Sequence, residues 1–102
     1  MQRFDEKNPS ESIVLTFDLS AGLATGETLT GTPTVTIALL SGTDPTPSAV
    51  LAGGNQLDSS KTLALVPVTG GVDSCDYEIK VVCSTTNALK ILALPAILPV
   101  RN

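Results

Sequence analysis

From Cys75 to Ser84 the chain alternates, broken only at Val82: Cys75, Tyr77, Ile79, Val81 and Cys83 are apolar or aromatic, and Asp76, Glu78, Lys80 and Ser84 fall on the other face. A period of two puts successive side chains on opposite faces, so this segment is a β-strand with one buried face and one wet face. The pattern recurs in SIVLTFDLS, where Ile13, Leu15, Phe17 and Leu19 oppose Ser12, Val14, Thr16 and Asp18. No window sustains apolar residues at i, i+3, i+4 and i+7, and Gly and Pro punctuate the chain at short intervals. These features predict an all-β domain.

The remaining strands follow from the same reading. Glu27–Thr30 and Thr34–Leu40 form the second strand, with a kink within it at Gly31 to Pro33 and Val35, Ile37 and Leu39 on one face. Pro45 and Pro47 make TDPTPS a loop, because neither can donate to a ladder. SAVLAGG reads as a short strand ending at Gly53-Gly54, and KTLALVPV as a strand whose Pro67 requires an edge or a bulge. LKILALPAILPV closes the chain after a turn at Asn87. About seven short strands in 102 residues predict a β-sandwich of a single domain, residues 12–102, preceded by an extended N-terminal arm, residues 1–11.

The last strand differs from the others because both faces are apolar. Leu89, Ile91 and Ala93 lie on one side and Leu92, Leu94 and Ala96 on the other. Either the chain end folds over the surplus, or a bulge at Pro95 changes the facing, or Leu92, Leu94 and Ala96 form a subunit or partner contact. The polar, proline-containing arm MQRFDEKNPSES is read as free to reach a neighbour and to gain order on binding, with Phe4, Asp5, Lys7 and Pro9 as contact residues.

Composition and charge exclude several functional classes. A net charge of −4 provides no basic field for a nucleic-acid partner. No apolar run reaches the length of a membrane span, and the first residues have no hydrophobic stretch of the signal-peptide kind; the expectation is no membrane partner and a reducing cytoplasm as the place of synthesis. Two cysteines eight positions apart on one strand would lie about 26 Å from each other, far beyond disulfide reach. With no His and no CxxC spacing they do not make a zinc site, and both read as small buried hydrophobes. DSCD with Asp58 lacks the dense acidic loop of a calcium site. No His is present to complete a Ser or Cys triad, so neither a catalytic residue nor a cofactor is expected. Three aromatics, two of them on core-facing positions, provide little platform for stacking sugars.

Asp73, Cys75, Tyr77 and Ile79 match the spacing that opens the sixth strand of many immunoglobulin-like domains, following a Gly70-Gly71 turn. There the ring packs at a corner and its hydroxyl bonds to the upstream backbone, while Ile79 stands where antibody domains carry their second cysteine. The alternative is an ordinary inward-facing strand tyrosine.

Taken in order, Lys7-Asn8-Pro9 after an aromatic and acidic start, Phe17-Asp18-Leu19-Ser20, Gly26-Glu27-Thr28, Gly70-Gly71, Tyr77 and a Thr-rich final hairpin resemble the immunoglobulin-like fiber-tail adaptor or neck proteins of tailed bacteriophages. The chain departs from that pattern at Leu19, where Trp is common, at Cys75, where Gly is common, and at Asn87-Ala88, where a Gly turn is usual. The resemblance implies a non-enzymatic virion component, assembled in the bacterial cytoplasm as a homo-oligomeric ring. Its implied partners are portal, connector, tail or fiber proteins. A bacterial immunoglobulin-like surface or adhesion module is the competing reading.

Overall fold

The computed structural model describes Gln2 to Asn102 as an all-β protein. Its strands are β1 (Gln2–Arg3), β2 (Ser12–Asp18), β3 (Leu29–Ser41), β4 (Gln56–Leu57), β5 (Leu63–Thr69), β6 (Cys75–Thr85) and β7 (Ile91–Val100). They form two sheets, ordered β1-β7-β6-β3 and β2-β5-β4, the layering of a β-sandwich. Every neighbouring pair is antiparallel except β1 with β7, which run parallel.

The alternation in β6 is realised throughout: Cys75, Tyr77, Ile79, Val81 and Cys83 are all buried. They meet Leu15, Phe17, Ala64, Val66 and Val68 from β2 and β5, so both sheets contribute to one core. The two cysteines are unpaired and buried, and burial pushes the Cys83 thiol pKa up.

Pairing with β6 decides which way β7 faces. Tyr77 is opposite Leu98, Ile79 opposite Ala96, Val81 opposite Leu94 and Cys83 opposite Leu92, with no shift from one end to the other. Directly opposed residues share a face, so Leu92, Leu94, Ala96, Leu98 and Val100 point into the core and Ile91, Ala93, Pro95 and Ile97 point out. This corrects the assignment of Leu92, Leu94 and Ala96 to an outward contact face, and no bulge occurs at Pro95.

Two further boundaries differ from the sequence reading. β2 stops at Asp18 because the Asp18 carboxylate accepts the Ser20 backbone N–H at 2.9 Å and starts a 3-10 turn over Ser20–Gly22. The kink expected within the second strand at Gly31 to Pro33 is there, as a register shift in β3 between Thr30 and Thr34, with Gly31 at φ +71°. The expected strand around Val50 is a 3-10 turn, Pro47–Val50, followed by a single bridge from Leu51 to Val68. Pro47 presets a helical φ there, and the Asp44 carboxylate holds the Thr46 N–H at 2.9 Å. Pro67 lies inside β5, and its carbonyl accepts from Ala52 N–H at 3.1 Å, so its donorless nitrogen points to a side where β4 has already ended.

Candidate docking site along the last strand

The described part of the arm, from Gln2 onward, is laid against its own domain; Met1 lies outside the described residues. Gln2 and Arg3 pair in parallel with Ala96 and Ile97, and Phe4 N–H donates to the Ile97 carbonyl at 2.9 Å. The Phe4 ring meets Phe17 edge-on, with centroids 5.2 Å apart at 76°. Asp5 and Glu6 are exposed, and the chain then returns at Lys7.

Lys7 is wholly buried, and its contacts account for the fit of the segment. Its N–H donates to the Pro99 carbonyl at 2.9 Å and its carbonyl accepts Arg101 N–H at 2.9 Å. Its ammonium donates to the carbonyls of Gly70 at 2.6 Å and Asn8 at 2.9 Å. Burial lowers its pKa, an effect that the Glu11 charge partly opposes. Asn8, Pro9, Ser10 and Glu11 then turn the chain into β2, with Asn8 N–H on the Glu11 carboxylate at 2.7 Å and Ser10 N–H on the Asn8 side chain at 2.8 Å.

The expectation of an arm free to reach a neighbour is therefore corrected. Lys7 and Ala96 are inaccessible, and Phe4 packs on Phe17; among the arm residues singled out, Asp5 is exposed and Phe4 and Pro9 are half-buried.

The structural residues cluster at one end. Tyr77 is fully buried, and its hydroxyl accepts Val72 N–H at 3.0 Å and donates to the Asp44 carboxylate at 2.6 Å. Burial first, then the Asp44 carboxylate, drives the tyrosine pKa up. Gly70 and Gly71 turn the chain at φ +63° and +96°, and a Cβ on Gly71 would come within 2.9 Å of Val100. The Asp73 carboxylate accepts Asn102 N–H at 2.7 Å, and the Arg101 guanidinium pairs with Asp76 at 2.8 Å, holding that carboxyl below its ordinary range.

At the other end, Leu92 and Leu94 face a cleft of about 140 Å³ shared with Leu19, Gly22 and Asp18. A Cβ on Gly22 would lie 3.0 Å from Leu92, so glycine there lets the 3-10 turn approach β7. Lys90, just before β7, bonds Glu27 at 2.6 Å and lowers that carboxyl pKa.

The cleft lies beside an unfinished sheet edge. Ile97 and Pro99 offer their carbonyls to the arm, and Val100 offers its carbonyl to Ser74 N–H on the β6 side. Backbone groups alternate sides along a strand, so those of Ile91, Ala93 and Pro95 point the same way as those of Ile97. The parallel pairing of Gln2 with Ala96 brings Gln2 N–H to the Pro95 carbonyl, and among the described residues the outward backbone groups of Ile91 and Ala93 have no strand beside them. Among the described residues no group of three or more His, Cys, Asp or Glu is placed to hold a metal ion. What this region offers is hydrogen-bonding backbone and apolar surface, the chemistry of strand recognition.

No family model, curated protein or solved structure matches the chain.

Proposed function

We propose that this chain is a non-enzymatic structural module of a tailed-bacteriophage particle, an immunoglobulin-like domain that serves as a neck or tail adaptor. It assembles in several copies around the tail axis, in the host cytoplasm, and presents surfaces to fibers, tail proteins or neighbouring connector rings. Three features support the fold part of this reading: the sheet orders β1-β7-β6-β3 and β2-β5-β4, the parallel pairing of the N-terminal strand with the last strand, and the bond from Val72 N–H to the Tyr77 hydroxyl. The observation that carries the functional part is the position of the Phe17-Asp18-Leu19-Ser20 stretch. It is one of the segments that resemble the adaptor family, and its Asp18 and Leu19 form a wall of the apolar cleft beside the open edge.

The test is made on particles. Virions released by a host that encodes the chain are purified by density and size, and the chain is quantified by mass spectrometry against the portal protein. It should be present in a fixed multi-copy ratio, and particles made without it should lack fibers or fail to join head to tail. Absence from purified particles, with the chain instead released from intact bacteria by surface proteolysis, would establish the bacterial surface module.

A further inference from the structure

We infer that β3, at the opposite edge of the same sheet, joins two copies of this chain through an antiparallel pairing centred on Ile37. Among the described residues β3 has β6 on one side and no strand on the other. Backbone groups alternate sides along a strand. The Ile97 and Pro99 carbonyls face the arm, so Tyr77 and Ile79 turn their backbone groups to β7, and Glu78 and Lys80 turn theirs to β3, where Ala38 and Thr36 meet them. Val35, Ile37 and Leu39 therefore direct N–H and C=O out of the sheet. Set antiparallel to itself about Ile37, the strand opposes Ile37 to Ile37 and Val35 to Leu39 of the second copy, and every one of these donors meets an acceptor.

Exposed edges are ordinarily guarded by charge or kept short. β2 carries Asp18, β4 has two residues and β1 covers part of β7, but the 13 residues of β3 include no charge. Val35, Ile37 and Leu39 are only half-buried, although Val81, Ile79 and Tyr77 opposite them are fully buried, so the core is open along this flank. In the pair, Ile37 covers Ile37 and Val35 covers Leu39 on the core side. On the outer face, Lys80 lies opposite Thr36 and Glu78 opposite Ala38. Across the seam a row then runs from Lys80 and Thr36 to Ala38 and Glu78 of the second copy, and the two-fold axis repeats it. The Cα atoms of the charged ends are about 14 Å apart, a gap that two long side chains leaning over small residues bring within the range of screened attraction. This charge complementarity about Ile37 selects a second copy over a foreign strand. Register shifts between Thr30 and Thr34 and between Leu39 and Ser41 confine the contact to the regular stretch around Ile37.

Val35 to Leu39 gives a contact only about 17 Å long, short of the roughly 800 Å² per partner of a standard stable interface, so the pair is a weak one with a micromolar dissociation constant. The contact is two-fold and closes after two copies, so it is distinct from a ring contact and does not rest on the proposed function.

Sedimentation equilibrium of the purified chain from about 5 to 500 µM should show a monomer–dimer equilibrium. Thr36 and Ala38 are exposed on the outer face, so charges placed there leave the core of each copy alone. Thr36→Lys combined with Ala38→Lys sets like charges opposite each other twice across the seam and should weaken the dimer about tenfold, with no change in fold by circular dichroism. Thr36→Glu combined with Ala38→Lys sets opposite charges there and should hold the dimer at least as tightly as the wild type. Cysteines test the register separately, because the native Cys75 and Cys83 are buried. Opposed residues in a non-bonded antiparallel pair have Cα atoms about 4.5 Å apart, within disulfide range, whereas Thr36→Cys meets its own copy two places out of register, about 8 Å away. Mild oxidation should link a mixture of Thr36→Cys and Ala38→Cys as heterodimer, well ahead of either variant alone. A wild-type chain that stays monomeric at the highest concentration, which leaves the edge to another protein's strand, overturns the assignment. Equal dimer strength in the two charge variants, or equal linking of the mixture and the single variants, overturns it as well.

Discussion

Replacing Tyr77 by Phe removes one oxygen from a fully buried site and tests whether the corner bond matters to the fold. The hydroxyl accepts Val72 N–H at 3.0 Å and donates to the Asp44 carboxylate at 2.6 Å. A hydrogen bond to a charged group is worth about 1.5–3 kcal/mol and a neutral one about 1 kcal/mol, but Asp44 is half-exposed and regains water, so the net loss is about 2 kcal/mol. With 102 residues and an unfolding entropy of about 2.1 cal/mol/K per residue, that lowers the midpoint of thermal unfolding by about 9 °C. The same substitution carries a pH signature. The folded-state pKa of Tyr77 is raised above its ordinary value of 10.0, so below pH 10 the tyrosine contribution is fully present. Above pH 10 the unfolded chain ionises first, and stability falls by up to about 1.4 kcal/mol per pH unit. Thermal and urea unfolding followed by circular dichroism at pH 7, 9, 10 and 11 should show the wild type losing its advantage over Tyr77→Phe as pH passes 10 (assay values chosen to bracket the free tyrosine pKa). A midpoint shift below about 2 °C at pH 7, together with parallel alkaline limbs, would refute the corner reading.

Removing residues 2–7 should destabilise the domain by at least about 2 kcal/mol in urea unfolding, since it strips Phe4 from Phe17 and uncovers the edge at Ile97 and Pro99; a freely hanging arm would leave the midpoint unchanged. Asp58 accepts Thr62 and Leu63 N–H at 3.0 Å each, and its pKa is held at about 2, chiefly by the Ser60 hydroxyl. Its contribution is present above the ordinary carboxylate pKa near 3.8 and lost as pH falls toward 2, so Asp58→Ala should flatten the wild-type acid limb of stability between those values. Gly42→Ala should cost about 2 kcal/mol or more, because φ is +89° and the new Cβ would lie 2.6 Å from Cys75 Sγ. Gly53→Ala, at φ +81° with nothing within 4 Å, should cost only the backbone strain of about 1 kcal/mol; equal losses at the two glycines by thermal unfolding would show that the crowding against Cys75 is relieved by movement.

Local pattern was enough for the strands whose two faces differ. Period-two alternation in β6, β2 and the second half of β3 specifies both the strand and its buried face, because each side chain's solvent preference is written at its own position. Turn chemistry was equally local at Gly70-Gly71, where positive φ calls for glycine. The spacing that places Tyr77 after that turn likewise pointed to its hydroxyl bond with the upstream backbone. Two things could not be read this way. In β7 both faces are apolar, so nothing in its own residues says which is inside; the answer lies in the register with β6, a contact between segments distant in sequence, and it turned Leu92, Leu94 and Ala96 inward. The arm carries mostly polar residues and looks solvated, but its backbone completes part of a sheet edge and the Lys7 ammonium finds the Gly70 carbonyl 63 positions away. The sequence alone determines an all-β chain and most of its core faces; the fate of an apolar strand and of a polar arm is decided by which backbone edges and carbonyls the folded chain leaves open, and those exist only once the sheets have formed.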